Sequence, residues 1–428
     1  MSANGGMNLL VVGSGGREHA LVKSFATSPR CGALYCSPGN DGIARDCEIL
    51  SGGHSLEHWV KEKSIDLVVF GPEQPLVDGE GDRLKSLTRV FGPSAAAAQL
   101  EGSKVFMKDV AVAAGVPTAS YQVFEADQLD EALDYLAQRP LPIVIKASGL
   151  AAGKGVTVTD SLDEAREAVR ACLSGDAFGQ AGHQVVIEEC LVGPEVSVFH
   201  LVQDGRAKLI GAAQDHKRQL DGDKGPNTGG MGTFSPSPLF TPQLARQVEE
   251  QFVEPTLDEM ARRGTPFEGF LFTGLMLTPQ GPKLLEYNVR MGDPETQSLL
   301  PLLSGDLLTA IIEPQAELDV TEGCAVTVVL AAPGYPTQPE KGLSMPPLPQ
   351  DNAQARWTVA GAKLDRASEG PATGAEGWIS TGGRVLGVTG LGATHNEARK
   401  NAYDAVAGYG WQTAQFRTDI GAQRSDNP

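Results

Sequence analysis

Four short apolar runs that alternate with helix-like segments constrain the N-terminal part of the chain. The runs are residues 9–12, 33–36, 66–70 and 89–91. Apolar runs of this length, each followed by a segment of helical pattern, are typical of βαβ units. Because consecutive strands in such units are parallel, the sequence predicts a parallel sheet with helices packed on it.

The rest of the chain departs from that regular alternation. From about residue 103 to 314, strand-like runs, glycine turns and helical segments are mixed. The last part begins with an apolar strand at residues 324–332 and finishes with a strand at 384–389 and a helix near 394–403. The predicted fold class is therefore α/β and α+β, with an N-terminal βαβ domain followed by two mixed parts.

Composition excludes several classes of protein. The chain has 428 residues, of which 41% are hydrophobic and 21% charged, as in globular proteins with more than one core. No run approaches the ~18 apolar residues of a membrane span, and the first residues are too polar for a signal peptide, so a cytoplasmic protein without a membrane partner is expected. The formal charge of −18 opposes nucleic-acid binding. Six scattered cysteines indicate reduced thiols.

A glycine cluster, Gly-Ser-Gly-Gly-Arg-Glu-His-Ala at residues 13–20, directly follows the first predicted strand. A dinucleotide fingerprint would have its third glycine where Glu18 stands, so nicotinamide binding is not expected. A glycine turn that leads into a helix still presents free N–H groups and the positive end of the helix dipole. Gly15, Gly16 and Arg17 are therefore candidates for an anion site, and the alternative is a tight turn without a ligand.

A second glycine-rich stretch, Ser-Gly-Leu-Ala-Ala-Gly-Lys-Gly-Val-Thr-Val at residues 148–158, contains a lysine but does not match a P-loop. A P-loop has four residues between its first glycine and its Gly-Lys pair, then Ser or Thr and a helix. Here only three residues separate Gly149 from Gly153. Gly155 follows Lys154, and the chain then continues as a strand. The sequence predicts a hairpin with a glycine-rich, mobile tip.

Charged residues occur in the middle part where buried elements are expected. Ser103 is a predicted N-cap, which places Lys104 in the first turn of a helix. Lys146 lies at the end of a predicted buried strand, residues 141–147, where a lysine needs a charged partner. The next strand, residues 184–191, carries two adjacent acids near its end.

The stretch Lys-Leu-Leu-Glu-Tyr-Asn-Val-Arg-Met-Gly-Asp-Pro-Glu-Thr-Gln at residues 283–297 contains candidate metal ligands. Because alternate residues of a strand point to one face, Glu286 and Asn288 are expected to lie together. Two oxygen ligands, completed by water and phosphate, suit a magnesium ion that bridges nucleotide phosphates. The alternative is an exposed polar strand face, and the preceding strand, residues 270–277, adds no acid.

The order of these features resembles that of the ATP-grasp ligases, which clamp ATP between two α+β subdomains without a P-loop. The resemblance rests on the two lysines, the glycine-rich hairpin, the paired acids and the late Glu-x-Asn pattern. It implies that Lys104 and Lys146 contact the ATP phosphates. It also implies that Gly153, Lys154 and Gly155 belong to a lid that folds over those phosphates.

The same resemblance assigns the remainder of the nucleotide site. The backbone around Glu188, Glu189 and Leu191 is expected to bind the adenine edge, and Glu195 is expected to hold the ribose. ATP is then a co-substrate, and the metal at the Glu-x-Asn pair is Mg²⁺ or Mn²⁺.

Longer signatures resemble one family, the glycinamide ribonucleotide synthetases. They are residues 13–20, 91–94, 100–104, 149–156, 214–218, 225–232 and 286–297. Together they extend the match over essentially the whole chain. Two residues depart from the family pattern: Pro194 stands where an acid commonly precedes the ribose glutamate, and Met291 replaces a usual phenylalanine. Neither departure removes a charged group that the implied chemistry requires.

The family resemblance implies that the enzyme joins glycine to 5-phosphoribosylamine through a glycyl phosphate, a step of de novo purine biosynthesis. Lys146, Arg290 and Asp293 are then the catalytic candidates, with Arg290 gripping the glycine carboxylate and Asp293 its amine. Asp215 and Lys217 are expected to help enclose the substrates, together with the glycine-rich loop that follows them. The alternative for that loop is an exposed hairpin connection. The N-terminal glycine cluster supplies further substrate contacts.

The resemblance also divides the chain into three domains. They are an N-terminal domain of residues 1–107, an ATP-grasp domain of residues 108–316 with a lid at about 120–193, and a C-terminal domain of residues 317–428. A monomer that acts on ATP, glycine and 5-phosphoribosylamine is expected, with no nucleic-acid or membrane partner.

Three alternative functions stay open. Another ATP-grasp ligase or a carboxylating enzyme is the nearest. An oxidoreductase would leave Glu286 and Asn288 unexplained, and a nucleotide-sensing module would not need Arg290 and Asp293.

Overall fold

A five-stranded parallel sheet forms the N-terminal part of the chain, as the apolar runs predict. The computed structural model describes residues 6–150, 155–174, 184–366 and 377–422. The N-terminal elements are β1 Met7–Gly13, α1 Gly16–Ala26, β2 Cys31–Pro38, a 3₁₀ turn Ile43–Arg45, β3 Glu48–Ile49, α2 Leu56–Glu62, β4 Leu67–Phe70, α3 Gln74–Val77, α4 Glu80–Leu84 and β5 Arg89–Phe91. The strand order is β3-β2-β1-β4-β5. The apolar residues of β1 and β4 are buried, as expected for strands covered on both faces.

Two helices, α5 Gln99–Gly102 and α6 Lys104–Ala113, lead out of this sheet. The Ser103 side chain accepts a hydrogen bond from Phe106 N at 3.2 Å, so the predicted N-cap is confirmed. Past the end of α6, Gly115 has φ +70°, a conformation that favours glycine. Lys104 is therefore the first residue of a well-defined helix.

A four-stranded antiparallel sheet with two helices follows. Its elements are β6 Tyr121–Glu125, α7 Leu129–Ala137, β7 Ile143–Ala147, β8 Val156–Thr159, α8 Leu162–Leu173 and β9 Gln184–Glu189, in the strand order β6-β9-β7-β8. The strand predicted from residue 141 begins at Ile143, since Pro142 has no N–H for a ladder hydrogen bond. This part has its own hydrophobic core, formed by residues such as Phe124, Leu136 and Val169.

An eight-stranded sheet forms the centre of the molecule. Five of its strands come from the segment of residues 195–288, namely β10, β11, β14, β15 and β16. The elements of this segment and of the residues that follow it are β10 Glu195–Gln203, β11 Arg206–Asp215, the separate hairpin of β12 Arg218–Leu220 and β13 Lys224–Asn227, β14 Gly232–Ser235, α9 Pro242–Val248, a π-helical segment Glu249–Val253, α10 Glu254–Arg262, β15 Gly269–Thr278, β16 Gly281–Asn288, α11 Glu295–Leu299, a 3₁₀ turn Leu300–Leu302 and α12 Leu307–Ile312. The core between this sheet and the N-terminal sheet is shared, with Phe91 packed edge-on against Phe270.

The C-terminal part extends the same sheet. Its elements are β17 Cys324–Ala331, β18 Ser344–Met345, β19 Ala355–Val359, β20 Ala362–Leu364, β21 Trp378–Ser380, β22 Arg384–Gly392 and α13 His395–Tyr409. The central order is β16-β15-β10-β11-β14-β17-β22-β19, and β18, β21 and β20 form a small separate sheet. The predicted final strands and helix are confirmed, and the helix continues to Tyr409. Because β14 pairs with β17, the start of β22 is fixed relative to the centre of the molecule.

Close packing of α13 on β22 provides a test of this arrangement. A Cβ on Gly390 would lie 2.1 Å from Ala398 O and 2.2 Å from Ala402 N, so backbone would have to move. Gly390→Ala is expected to lower the free energy of unfolding by about 2 kcal/mol or more. Gly408→Ala in the same helix is the control: nothing lies within 4 Å of its Cβ, and it should stabilise the protein by about 0.5–1 kcal/mol. Equal unfolding midpoints in urea for the two variants would contradict the described packing.

Candidate active site

Two buried lysines share one glutamate between α6 and the four-stranded sheet. Lys146 Nζ on β7 lies 2.9 Å from Glu188 Oε2 on β9. Lys108 Nζ on α6 lies 3.2 Å from Oε1 of the same carboxylate. All three side chains are buried, so Glu188 is the charged partner predicted for Lys146. Lys108 was not predicted from the sequence, although its spacing of four residues from Lys104 places both on one side of a helix.

Lys104 lies beside the base of the glycine-rich hairpin. Its backbone N–H donates to Ser148 O at 2.8 Å, and its Nζ donates to Gly149 O at 3.3 Å. Burial lowers the pKa of Lys104, an effect that Glu286 opposes and Lys146 reinforces. Lys104 on α6 and Lys146 on β7 therefore lie close enough to repel each other. A bound polyanion would relieve this repulsion.

The glycine-rich hairpin is described only near its base. Strands β7 and β8 are antiparallel, with Lys146 opposite Val156, and Ala147 N donates to Gly155 O at 2.8 Å. The predicted hairpin is therefore confirmed. Gly153 and Lys154, which were assigned to a lid, lie outside the described residues.

Two acids at and after the end of β9 pair with lysines, Lys283 on β16 and Lys217 in the loop after β11. Glu189 Oε1 lies 2.9 Å from Lys283 Nζ, and this contact lowers the pKa of Glu189. Glu195 Oε2 lies 2.8 Å from Lys217 Nζ. Leu191, between the two acids, is half-buried. These pairs join the segment after β9 to the central sheet, and the adenine and ribose contacts stay predictions.

Glu286 and Asn288 lie at the end of β16, opposite Gly274 and Phe272 of β15. Although burial acts to raise the pKa of Glu286, Lys217 and the other nearby cations hold it below its usual range. Among the residues the structure describes, no donor hydrogen-bonds to this carboxylate and no cation pairs with it within 4 Å. An ionised carboxylate without a direct protein partner, next to an amide oxygen, is suited to a hard divalent cation.

The described residues group no further acidic or sulfur ligands with this pair. Within the described ranges, no three His, Cys, Asp or Glu side chains are grouped so that they would hold a metal ion. A cation at Glu286 and Asn288 would therefore complete its coordination with water or with oxygens of a ligand, as magnesium does at phosphate sites.

Arg290 is held by carboxylates of the N-terminal part. Its Nη2 lies 2.7 Å from Glu101 Oε1, its Nε lies 3.2 Å from Glu73 Oε2, and its Nη1 donates to Met291 O at 3.4 Å. Burial raises the pKa of Glu101 to about 7 against the opposing effect of Arg290. The residue predicted to grip a glycine carboxylate thus has protein partners on every guanidinium nitrogen, and Glu73 and Glu101 were not predicted.

Asp293 lies at the N-terminus of α1, next to the first glycine cluster. Its Oδ2 accepts from Arg17 N at 3.4 Å, and its Oδ1 accepts from Gln297 Nε2 at 2.9 Å. A Cβ on Gly15 would lie 3.2 Å from Asp293 Oδ2, and one on Gly16 would lie 2.7 Å from Gln297 Nε2. The two glycines therefore allow α1 to lie close to the loop that carries Asp293.

The Arg17 side chain is buried and held by groups of the protein itself. Its Nε lies 2.6 Å from Glu18 Oε1 and its Nη1 donates to Met291 O at 3.2 Å. Glu18 also accepts a hydrogen bond from Gly15 N. The predicted anion site is thus lined by the protein's own carboxylates, and contacts of Gly15, Gly16 and Arg17 with a substrate stay predictions.

Asp215 and Glu295 are carboxylates of raised pKa. Burial raises the pKa of Asp215 well above its usual value, and Glu295 raises it further while Lys217 opposes the shift. Burial likewise raises the pKa of Glu295. Asp215 Oδ1 is out of contact with solvent and accepts no hydrogen bond from the described residues. A Cβ on Gly230, which has φ +110°, would lie 2.9 Å from that oxygen.

Arg384 brings a positive charge from the C-terminal part into the same cluster. Its Nη1 donates to Gly229 O and, at 2.6 Å, to Asp293 O, while its Nη2 lies 3.5 Å from Asp293 Oδ2. In the described part of the chain, its Nε and Nη2 donate no hydrogen bond. Sequence reasoning missed Arg384, because one arginine at the start of an apolar strand carries no specific signal.

Comparisons with known families place this geometry in context. Three family profiles match consecutive parts of the chain: phosphoribosylglycinamide synthetase N domain over residues 7–101, its ATP-grasp (A) domain over 102–296, and its C domain over 325–423. Together the three profiles match most of the chain.

Individual proteins that are similar to this chain carry names of the same family. A phosphoribosylamine–glycine ligase of Mesorhizobium japonicum is 47% identical to this chain in a match that covers 97% of this chain and 98% of the relative. The crystal structure of a phosphoribosylamine–glycine ligase from Thermotoga maritima superposes with a TM-score of 0.83 at 34% identity, covering 96% and 99% of the two chains. The biotin carboxylase domain of a Hydrogenobacter thermophilus 2-oxoglutarate carboxylase, with a TM-score of 0.73 at 15% identity over 96% and 91% of the chains, shares the fold.

The raised pKa of Asp215 predicts a pH-dependent effect on stability. Because its native pKa lies above the unfolded value, its favourable contribution is fully present below the unfolded pKa and is lost as the pH rises through the native pKa. Asp215→Asn removes that titration. The variant should therefore gain stability relative to wild type as the pH rises from about 5 to about 8.

Urea unfolding of both proteins at the two pH values measures this change. Asp134→Asn, which removes one negative charge from an exposed position on α7, is the control against which the pH dependence of Asp215→Asn is compared. A stability difference for Asp215→Asn that is constant with pH would contradict the described environment of Asp215.

Proposed function

The chain belongs to the phosphoribosylglycinamide synthetase family, and on that premise we propose that it joins glycine to 5-phosphoribosylamine with ATP as co-substrate. The products are glycinamide ribonucleotide, ADP and phosphate, in a step of purine biosynthesis. The observation that carries the proposal lies beside the Glu286–Asn288 pair, where Arg290 pairs with Glu73 and Glu101 of the N-terminal part and Asp293 pairs with Arg384 of the C-terminal part. A charged cluster built from the N-terminal, central and C-terminal parts suits an enzyme with several charged substrates.

The chemistry requires activation of a carboxylate. An amine does not displace an oxide from a carboxylate, so one glycine oxygen first attacks the γ-phosphorus and ADP leaves. The amine nitrogen of 5-phosphoribosylamine then attacks the carbonyl carbon of glycyl phosphate, the carbon–oxygen bond to phosphate breaks, and the nitrogen loses a proton. Such transfers depend on alignment and charge neutralisation more than on a protein nucleophile.

In this proposal, Lys104 and Lys146 bind the ATP phosphates, and Lys146 stabilises the charge that develops during phosphoryl transfer. Support comes from their positions at the base of the hairpin and from the buried Glu188 that orients Lys146. The lid contacts of Gly153, Lys154 and Gly155, the adenine contacts around Glu188, Glu189 and Leu191, and the ribose contact of Glu195 belong to the same proposal.

Glu286 and Asn288 would hold a divalent cation, Mg²⁺ or Mn²⁺. The lowered pKa of Glu286 keeps its carboxylate ionised, and the described part of the chain gives it no competing direct partner. Bound there, the cation would supply Lewis-acid neutralisation of phosphate charge.

Glycine and 5-phosphoribosylamine would bind between the loop of residues 289–295 and the N- and C-terminal parts. We propose Asp293 for the glycine amine and Arg290 for its carboxylate, and we add Arg384 as an oxyanion ligand because two of its nitrogens donate no hydrogen bond in the described chain. Asp215 and Lys217 would enclose the substrates. Gly15, Gly16 and Arg17 would form the wall of the site at α1.

Several broader properties belong to the same proposal. We propose a cytoplasmic monomer without nucleic-acid partners, with domains at residues 1–107, 108–316 and 317–428. The formal charge of −18 and six free cysteines support this setting. In the described ranges, no helix combines the length and apolar character that crossing a membrane requires.

An assay of ADP formation tests the reaction. ADP release should require glycine and 5-phosphoribosylamine together and should yield one glycinamide ribonucleotide per ADP. Bicarbonate in place of glycine should give no product, which separates the proposal from a carboxylating enzyme of the same fold. ADP release driven by bicarbonate, or by an amino acid other than glycine, would contradict it.

Glu286→Gln should reduce ligation by about 100-fold or more, since it removes one negative metal ligand without changing side-chain volume. The melting temperature should stay close to that of wild type. Glu250→Gln, an exposed acid on the π-helical segment, is the matched control and should retain full activity. Near-wild-type ligation by Glu286→Gln at limiting magnesium would remove this residue from the metal site.

A further inference from the structure

Lys108 is a fully buried lysine that none of the proposed substrate contacts uses. Its Nζ lies 3.2 Å from Glu188 Oε1, 2.8 Å from Thr118 Oγ1 and 3.5 Å from Ala119 O. The ring of Tyr121 lies 5.0 Å away, as in a cation–π contact. Two hydrogen-bond acceptors and one carboxylate therefore surround the Lys108 ammonium, and a side chain buried in this way cannot reach a ligand.

Glu188 is therefore shared between two ammonium groups of different accessibility. Its Oε1 faces Lys108, whose side chain is 0% exposed, and its Oε2 faces Lys146, whose side chain is 11% exposed. Lys146 Nζ has no other hydrogen-bond partner within the described residues. Only the Lys146 end of the cluster can reach a ligand.

The net charge of Lys108, Glu188 and Lys146 determines whether Lys146 can attract an anion. One carboxylate between two ammonium groups leaves one net positive charge, and the exposed member is Lys146. Without Lys108, Lys146 and Glu188 would form a neutral pair, and Glu188 would compete with a phosphate for the Lys146 ammonium. Burial lowers the pKa of Lys108 to about 8, and the nearby Glu188 carboxylate opposes this shift. Lys108 therefore stays mostly an ammonium near neutral pH.

We infer that Lys108 is a positioning residue for ATP: by neutralising Glu188 it leaves the charge of Lys146 available to the nucleotide phosphates. Lys108 does not touch the nucleotide in this account. The inference rests on the proposed function, because it takes Lys146 as a phosphate ligand. It goes beyond that function in giving the buried Lys108–Glu188 contact an effect on nucleotide affinity.

Lys108→Met tests the inference with direct binding of magnesium ATP, measured by calorimetry without glycine or 5-phosphoribosylamine. The dissociation constant for ATP should rise on the order of tenfold or more, because Glu188 then holds Lys146 without a competitor. In turnover, the KM for ATP should rise while the KM for glycine stays unchanged. Lys208→Met on β11, a partly buried lysine that donates to Ala316 O, is the control and should bind ATP like wild type.

The double variant Lys108→Met with Glu188→Gln separates this role from simple loss of a buried contact. Glutamine removes the carboxylate that neutralises Lys146 in the single variant, so Lys146 regains a free charge and the ATP dissociation constant should return toward the wild-type value. The charge that remains, on Lys146, lies at the partly exposed end of the cluster, so the double variant keeps the inference testable if Lys108→Met fails to fold. An affinity that stays weakened in the double variant would overturn the inference.

Unchanged ATP affinity in a folded Lys108→Met protein would overturn it as well. Failure of the proposed function is a different result: wild type would then bind ATP without ligating glycine, or would not bind ATP. The binding measurement and the ligation assay therefore distinguish the two claims.

Discussion

Every lysine and arginine of the cleft for which a contact is described has a carboxylate or carbonyl partner. This pairing of charges links the elements that carry the cations to the elements that carry the acids. Glu188 holds Lys146, Glu195 holds Lys217, and Glu101 holds Arg290. For buried cations such as Lys146 and Arg290, these partners offset the cost of an isolated buried charge, which would be strongly destabilising. A chain with a formal charge of −18 can still carry local positive charge where two cations share one carboxylate, as Lys108 and Lys146 share Glu188.

The loop of residues 289–295 is where the parts of the fold meet. It leaves β16 directly after Glu286 and Asn288, it contacts Glu73 and Glu101 through Arg290, and it approaches α1 through Asp293. Arg384 reaches it from β22, which the continuous eight-stranded sheet holds in place. In the proposed function, the metal pair on one side of this loop and the substrate-binding residues on the other would thus be coupled through a few residues.

The sequence predicted the elements that follow from periodicity and end signals. Examples are the parallel strands, the Ser103 cap, the hairpin after Lys146 and the final helix, because apolar spacing and capping residues act locally. It also predicted that Lys146 would need a partner, but not which one, since Glu188 comes from a neighbouring strand. Glu73, Glu101 and Arg384 were missed because their roles depend on contacts between distant parts of the chain. For Arg17 the local pattern suggested a free charge, whereas Glu18 pairs with it.

The central claim is that glycine is activated as an acyl phosphate, and oxygen transfer measures it most directly. Glycine carrying heavy oxygen in both carboxylate positions is converted completely with unlabelled ATP and 5-phosphoribosylamine, and the phosphate is analysed by mass. When the amine displaces phosphate from glycyl phosphate, one former carboxylate oxygen leaves with it. The account predicts one labelled oxygen in each phosphate released. Phosphate without label, obtained while glycinamide ribonucleotide still forms, would contradict it.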